Sequence, residues 1–246
     1  ALPQTPDSNS VSEVLTALKT AELPVIVCGG GVVLAGGTAE LAILAKTLDI
    51  PVCTTVSGQG SLAETHPNCV GVVGSNGGQP ATRALVDEAD LIFYIGCRAG
   101  SVTTDRWRSP EVGTTVIHMD NDPAVIGACY QTKAAMVCDA RLGLEALILE
   151  LGAVVGKNGA ARVLAAKTEK WKAFAPLAIS NKIPIKPERV LADLAQHLPA
   201  DAVVCADPGT PCPYFSAWFE WQKPGRHFIT NRAHGALGFA IGASIG

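Results

Sequence analysis

The sequence lacks the patterns that mark several large classes of protein. No apolar run approaches the roughly 20 residues of a membrane-spanning helix, and the N-terminus lacks the basic-then-apolar pattern of a secretion signal. The formal net charge is only -3, so there is no basic excess that would attract nucleic acid or an anionic membrane. We therefore expect a cytoplasmic protein that acts on small molecules, with no nucleic-acid and no membrane partner.

The cysteines also lack a pattern that would bind a metal. There are eight of them, with no CxxC pair and no Cys/His ligand spacing, and the five histidines are equally dispersed. We expect most of these cysteines to be small buried residues in a reducing compartment, and we predict no metal cluster. They are Cys28, Cys53, Cys69, Cys97, Cys129, Cys138, Cys205 and Cys212.

The sequence does contain a regular alternation of short apolar strands and amphipathic helices. Its 246 residues are 48% apolar and include 25 glycines, which suits a turn-rich α/β protein. The pattern predicts a parallel sheet covered by helices on both faces. Strands are predicted at residues 24–28, 51–55, 70–73, 91–96, 115–119 and 135–137, and helices at 11–20, 39–48, 81–89 and 141–151.

A glycine-rich turn follows the first predicted strand. Gly29, Gly30 and Gly31 lead to Gly36-Gly37 and to Thr38, the predicted N-cap of the next helix. This is a turn of the nucleotide-binding type, but Leu34 stands where the dinucleotide pattern has its third glycine. The second strand ends in residues 53–55 without an acid for a ribose, which argues against NAD.

A second, similar arrangement lies near the end of the sequence. An apolar strand at 203–206 runs into Asp207-Pro208-Gly209-Thr210, and an amphipathic helix follows. Such a turn presents backbone N–H groups to an anion such as a phosphate, although the same composition also occurs in purely structural turns. We expect Asp207 to cap its own turn, His234 to be structural rather than to reach a substrate, and the aromatic residues at 214–221 to form core rather than a channel.

A segment at 153–182 separates the two arrangements. It contains a predicted helix at 161–175 with Val163, Leu164, Trp171 and Phe174 on its apolar side. We interpret Trp171 as a packing anchor rather than a binding platform. A helix at 186–198 then leads to the 203–206 strand, and residues 1–10, rich in Pro and Ser, are typical of an interdomain linker.

Several segments of the sequence, in the order in which they occur, resemble the thiamine-diphosphate enzymes of the acetolactate synthase group. The matching phrases are PVIVCGGGV, IPVCTTVSGQG, EADLIFYIGCR, VIHMDNDP, VCDA, PIKPERVLADL, DPGT and GALGFAIGASIG. The resemblance implies an α/β protein with a Rossmann-like central domain of six parallel strands (1–152) and a linker with a helix (153–182). The partial second α/β domain (183–246) would be the first half of a pyrophosphate-binding domain.

The resemblance also implies which residues bind thiamine diphosphate. Gly209 and Thr210 would touch the diphosphate, and Gly235, Ala236 and Leu237 would form the second turn, with backbone groups of Gly235 and Leu237 on the aminopyrimidine. Leu237 would be the bulky prop that holds the two rings of the cofactor in a bent shape, so that the amine lies against the reacting carbon. The alternative for Leu237 is a core residue at a helix start.

In the same group the central domain binds FAD or ADP along its strand ends. The matching residues are Gly30, Gly31, Gly96, Arg98, Asp120 and Asp139. Asp120 would accept from a ribose hydroxyl or cap its turn, and Arg98 would pair with a phosphate or be solvated. After Arg98 the chain reads Ala99-Gly100-Ser101-Val102, where the acetolactate synthases have an acidic pair and a second arginine, so an empty site is a further alternative.

The group's ligands for Mg2+ and its protonating glutamate do not occur in this sequence. We therefore expect a fragment, inactive alone, of an enzyme that decarboxylates 2-keto acids and joins the product to an acceptor. The enzyme would be a homodimer or homotetramer, and the fragment would expose apolar surface after about residue 201. The alternatives are a decarboxylase or lyase without carboligation, and a stand-alone nucleotide-binding module.

Overall fold

The larger part of the molecule is a sheet of six parallel strands. A computed structural model describes residues 3–232 and 234–246. The strands are β1 (Pro24–Cys28), β2 (Val52–Thr54), β3 (Cys69–Val72), β4 (Leu91–Ile95), β5 (Thr115–Asp120) and β6 (Ala134–Val137). Their order is β3-β2-β1-β4-β5-β6, and every neighbouring pair is parallel. The predicted six-stranded, Rossmann-like sheet is confirmed.

This order reverses between β1 and β4, which both start near the middle of the sheet. Ile26 of β1 is paired with Val52 on one side and with Phe93 of β4 on the other. The connections from β1 and β4 leave toward opposite edges, so their first turns separate at the carboxyl end of the sheet. Ligands of open α/β sheets bind at such a switch point.

Helices cover both faces of the sheet, as the uninterrupted apolar strands predict. They are α1 (Ser8–Thr20), α2 (Gly30–Ala35), α3 (Thr38–Leu48), α4 (Pro80–Asp87) and α5 (Ala140–Glu150). One core joins Ile26 and Phe93 to α1, α3 and α5, and a second joins Val25 and Tyr94 to α4. The alternation of β1 residues between the two cores follows from the two-residue period of a strand.

The turn after β1 differs from its sequence-based prediction. Gly30 starts the short helix α2, which was not predicted, and Gly36 ends it with a left-handed φ of 71°. Thr38 was expected to cap α3, but α3 begins at Thr38 and its N-cap is Gly37, which offers no side chain. The prediction failed because two adjacent helices share this glycine pair and leave no room for a separate capping residue.

The remaining elements follow the central sheet. They are α6 (Gly159–Ala178), α7 (Pro187–His197), β7 (Val204–Ala206), α8 (Pro211–Trp218), β8 (Phe228–Thr230) and α9 (Phe239–Ile245). β7 and β8 pair in parallel and form a separate two-stranded sheet. On α6, Val163 and Phe174 are buried as predicted, whereas Leu164 is 68% exposed, so its assignment to the apolar side was wrong.

A third apolar core joins the C-terminal elements to the central sheet. It contains Val56 and Val72 from the central part and Phe219, Trp221 and Phe228 from the C-terminal part. The indole of Trp171 packs edge-on against Phe174, in agreement with its interpretation as a packing anchor. The expected aromatic core at 214–221 is confirmed for Phe219 and Trp221, which are buried.

Polar contacts reinforce this junction. The Gln59 amide donates to Ser216 Oγ at 3.1 Å and accepts from Trp221 Nε1 at 3.2 Å. The Gly225 N–H donates to the Gly60 carbonyl at 2.8 Å. Within the described residues, no helix is both long and apolar enough to cross a membrane.

Candidate functional site

Two glycine turns in the C-terminal part of the chain form the candidate cofactor site. The first of them, residues 207–210, connects β7 to α8. β7 ends at Ala206, and α8 begins at Pro211 with Thr210 in the N-cap position. The Thr210 side chain makes no capping hydrogen bond and is exposed. Its hydroxyl is therefore available to donate to a ligand that lies over the turn.

The second glycine turn connects β8 to α9. Gly235 and Gly238 both have a left-handed φ, of 64° and 85°, and no atom lies within 4 Å of the position that a Cβ would occupy on either residue. Between them Leu237 is 74% exposed. The turn is thus an open backbone surface with one large apolar side chain standing on it. Leu237 is not the helix-start core residue of the alternative interpretation.

The two turns lie against each other, although about thirty residues of sequence separate them. Leu237 Cδ2 lies 3.4 Å from the position of a Cβ on Gly209, which is ordinary van der Waals contact. The Asp207 carboxylate crosses between the turns and accepts from the Gly238 N–H at 2.8 Å and from the Ala240 N–H at 2.8 Å. The two turns, residues 207–210 and 235–238, thus form one surface, called the cradle below, in which Leu237 lies against Gly209, the residue before Thr210.

Asp207 was expected to cap its own turn, and that expectation was wrong. Its two oxygens instead cap α9, which belongs to the other turn. These two N–H donors lower the pKa of Asp207 below its usual value. The sequence carried one signal of this role, an acid at the end of a strand just before a glycine turn, but its partner 31 residues away could not be read from spacing.

Two further residues near this cradle can be placed. His234 precedes Gly235 and is exposed, and its structural role stays a prediction. Ala236 is exposed within the second turn. Neither side chain has a described hydrogen bond that would fix it in another role.

The residues predicted for FAD or ADP meet at the carboxyl edge of the central sheet. Gly30 and Gly31 follow β1, Gly96 and Arg98 follow β4, and Asp120 ends β5. A Cβ on Gly31 would lie 2.6 Å from the Gly96 Cα, so close contact between these two backbones already requires glycine. Arg98 is exposed.

The two acids at this edge have structural partners. Asp120 Oδ1 accepts from the Asp122 N–H at 3.1 Å, as expected for a turn cap. Asp139 is the N-cap of α5 and accepts from the Arg141 and Leu142 N–H groups. The nucleotide-binding role of these residues therefore stays a prediction.

A buried charged cluster lies at the junction and was missed by the sequence analysis. Glu64 is 2% exposed and Lys170 of α6 is 4% exposed. Lys167 donates to the Glu64 carbonyl and forms an ion pair with Glu220 at 2.5 Å. Burial raises the pKa of Glu64 to about 7 and lowers the pKa of Lys170. No local pattern marks these residues, because each looks like an ordinary surface charge in its own segment.

Six of the eight cysteines are buried, in agreement with the prediction that most of them are core residues; Cys129 is exposed and Cys205 half-buried. Burial raises the pKa of the Cys69 thiol to about 12 and that of the Cys97 thiol to about 11. Across residues 3–232 and 234–246, no group of three or more His, Cys, Asp or Glu side chains is placed to hold a metal ion.

Comparison with known proteins agrees with the order of these elements. A family model described as the central domain of thiamine pyrophosphate enzymes matches residues 11–147. Similar proteins include a probable acetolactate synthase large subunit of Methanococcus aeolicus, 30% identical over 96% of this chain and 41% of the relative. The corresponding protein of Methanocaldococcus jannaschii is 34% identical over 92% of this chain and 39% of its own length.

A third relative is the acetolactate synthase isozyme 3 large subunit of Escherichia coli, 29% identical over 96% of this chain and 41% of the relative. The chain therefore spans about two fifths of the length of the curated relatives that it matches. The matched region, residues 11–147, contains all six parallel strands of the central sheet. The chain thus belongs to the thiamine pyrophosphate enzyme family.

Proposed function

We propose that this chain is part of a thiamine-diphosphate-dependent enzyme of the acetolactate synthase type, which decarboxylates a 2-keto acid and joins the product to an acceptor carbonyl. The observation that carries the proposal is the meeting of the two glycine turns, with Leu237 Cδ2 against Gly209. Two relatives that share nearly the whole chain are named probable acetolactate synthase large subunits. The activity, substrates and assembly of the whole protein are part of the proposal.

The residues of the cradle fit the proposed cofactor. Gly235 and Gly238 leave their backbone open on the side that a flat ring would approach, since no atom lies within 4 Å of their Cβ positions. Gly209 brings the backbone close to a diphosphate, and the Thr210 hydroxyl donates to it. When bound, the cofactor supplies the carbon nucleophile that adds to the substrate carbonyl.

Leu237 has a separate task in this proposal. It stands 74% exposed between the two turns, where a side chain of this size keeps the two rings from lying extended. A substrate would approach from the same open side and displace water from the apolar prop. Mg2+ is proposed as the partner of the diphosphate, as is typical of the family, with ligands outside this chain.

The proposal is tested in the full natural protein that carries this sequence. We expect Leu237→Ala to reduce turnover of a 2-keto acid such as pyruvate by at least about 10-fold, because the bent cofactor is held less well, with little change in stability. Leu149→Ala is the matched control, since Leu149 is 85% exposed on α5 of the central sheet and lies in neither turn. Equal loss in both variants, or none in either, would contradict the proposal.

The stoichiometry of the reaction separates the main proposal from its alternative. If the enzyme joins two keto acids, twice as much keto acid disappears as CO2 is released. A decarboxylase or lyase without carboligation consumes keto acid and releases CO2 in equal amounts. Measuring both quantities with pyruvate as the only substrate distinguishes the two.

The central edge is proposed as a site for FAD or ADP, with Gly30, Gly31, Gly96, Arg98 and the two acids as its residues. The support is its position at the switch point between β1 and β4. Calorimetric titration with ADP and with FAD tests it, with Arg98→Ala as the variant. Tight ADP binding without any response to thiamine diphosphate would favour the nucleotide-binding module instead.

A homodimer or homotetramer is also proposed, with active sites between subunits. Apolar residues near the cradle are exposed, as expected for a surface that another subunit or domain covers. They are Val203 (55%), Leu237 (74%), Ile241 (73%) and Ile245 (83%). Analytical ultracentrifugation of the natural protein measures the assembly directly.

A further inference from the structure

One carboxylate holds the two glycine turns together. Asp207 follows β7 directly, and its Oδ2 and Oδ1 accept from the N–H groups of Gly238 and Ala240, both at 2.8 Å. These are two of the N–H groups at the start of α9 that have no partner within the helix. One side chain from the first turn therefore fixes the start of the helix that follows the second turn.

Helix α9 lies against β7, and this packing leaves its residues largely accessible. None of its residues is buried, and its N-cap, Gly238, has no side chain that could accept from the helix. The Gly235 N–H donates to the Asn231 carbonyl at 3.1 Å, which closes the second turn on itself but does not attach it to the first turn. The described side-chain hydrogen bonds from the first turn to α9 are those of Asp207.

The position of Leu237 depends on the same contact. Leu237 immediately precedes Gly238, whose N–H donates to Asp207, and its Cδ2 lies 3.4 Å from the Cβ position of Gly209. The side chain of Leu237 thus stands over the first turn because the backbone on its C-terminal side is attached to that turn.

We infer that Asp207 is a positioning residue, which sets the distance between the diphosphate turn and the ring-supporting turn by capping α9 across them. This inference rests on the proposed thiamine diphosphate function of the two turns. Asp207 touches neither part of the cofactor in this proposal. Asp207 would therefore affect binding only by setting whether one cofactor molecule can contact both turns at once.

The chemistry of the contact requires both carboxylate oxygens. The N–H donors of Gly238 and Ala240 lower the pKa of Asp207, so the side chain is ionised at neutral pH and both oxygens accept. Asp207→Asn keeps one acceptor and turns an NH2 group toward the other N–H, and Asp207→Ala removes both acceptors. Asp207→Asn should therefore weaken the attachment of α9 to the first turn less than Asp207→Ala does.

The inference predicts that removing the Asp207 carboxylate changes the affinity for thiamine diphosphate and the affinity for inorganic pyrophosphate to different extents. Inorganic pyrophosphate occupies only the first turn, whereas thiamine diphosphate must reach both. We expect Asp207→Ala to weaken thiamine diphosphate binding by at least 10-fold and to change pyrophosphate binding by less than about 2-fold, because Gly209 and Thr210 remain in place. Asp207→Asn should lie between Asp207→Ala and the wild type.

The experiment uses the full natural protein with Mg2+ present and calorimetric titration of both ligands. Asp201→Ala is the matched control, since it removes the same charge from an exposed position in the segment before β7. Amide hydrogen exchange at Gly238 and Ala240, measured without ligand, is the second readout. It should become faster in Asp207→Ala and remain unchanged in Asp201→Ala.

The two readouts separate failure of the inference from failure of the proposed function. Unchanged exchange at Gly238 and Ala240, or equal weakening of both ligands, would overturn the role of Asp207. If the wild-type protein does not bind thiamine diphosphate at all, the proposed function fails. Faster exchange in Asp207→Ala would then still support the attachment of the second turn to the first.

Discussion

The central sheet and the C-terminal turns are built from the same kind of strand, but they are buried to very different extents. Every residue of β1 and β4 is buried, whereas β7 and β8 have one buried residue each. Helix α3 buries four residues and α9 none. Apolar burial therefore fixes the central part, and a few polar contacts and one aromatic core fix the turns that carry the proposed site.

The difference in burial distinguishes the central sheet, which supports the fold, from the glycine turns, which carry the proposed site. A strand buried on both faces of a six-stranded sheet can change little without loss of stability, because its side chains are packed at crystal-like density. The glycine turns have open space on one side and hold Leu237 in it. Substitutions in the two regions should consequently change different properties. Two matched pairs of variants compare the regions directly, and two further pairs test the packing and the buried charge at the junction between them.

The largest expected difference is between two isoleucines. Ile117 of β5 is fully buried, so Ile117→Ala should lower the free energy of unfolding by about 2–5 kcal/mol. Ile241 of α9 is 73% exposed, and Ile241→Ala should change the same quantity by less than about 0.5 kcal/mol. Urea unfolding followed by circular dichroism measures both. Similar losses would mean that α9 is buried in solution.

Two glycines with left-handed φ provide the second comparison. A Cβ on Gly60 would overlap the Gly225 carbonyl oxygen, whereas a Cβ on Gly36 would have no atom within 4 Å. Gly60→Ala should cost about 2–4 kcal/mol through strain and overpacking at the junction. Gly36→Ala should cost only the conformational strain, about 1–2 kcal/mol. Thermal unfolding of both variants tests this order.

The buried charged cluster predicts a pH dependence. Burial raises the pKa of Glu64 to about 7 in the folded chain, and Lys170, Glu220 and Lys167 are the charged groups that act on it. Because the folded state holds this proton more tightly than the unfolded state, its stabilising contribution is complete below pH 4.5 and is lost as the pH rises to about 7. The expected loss is about 3 kcal/mol.

Glu64→Gln should remove this part of the pH dependence. The free energy of unfolding of the wild type, minus that of the variant, should fall between pH 4.5 and 7. Glu13→Gln is the control, since it changes the charge equally at an exposed position of α1. A difference that does not vary with pH would show that Glu64 is not desolvated at the junction.

The smallest expected effect compares two N-cap residues. Asp139 caps α5 with two hydrogen bonds, so Asp139→Ala should cost about 1 kcal/mol of stability. Thr210 occupies the N-cap of α8 without a capping hydrogen bond, and Thr210→Ala should leave stability nearly unchanged while it weakens pyrophosphate binding. Chemical unfolding and pyrophosphate titration of both variants test the contrast. A stability loss for Thr210→Ala would indicate a structural turn rather than a ligand site.

Much of the fold could be predicted from the sequence because its signals are local. The six strands lie within one or two residues of their predicted positions, since continuous apolar runs bounded by glycine or proline mark strands that are buried on both faces. Helix α2 was missed because it has only six residues, two of them glycines, which is too short for an amphipathic period to be visible.

The candidate site could be predicted only in part. The residue types of the two turns were visible, as was their resemblance to turns that bind a diphosphate and a ring. The contact of Leu237 with Gly209 and the attachment of Gly238 to Asp207 could not be predicted, because they join segments about 30 residues apart. The same reason explains why the Glu64 and Lys170 cluster was not found.

The sequence by itself determined which segments become strands and helices, that the strands run parallel, and that two glycine turns follow strand ends. Those properties depend on apolar period and on the conformational freedom of glycine, and both are set by neighbouring residues. Only the tertiary structure decided that Asp207 caps the helix of the other turn, that Leu237 stands over Gly209, and that Glu64 loses its water. Hydrogen bonds between distant segments and burial of charge depend on which surfaces meet, and packing of the whole chain determines that.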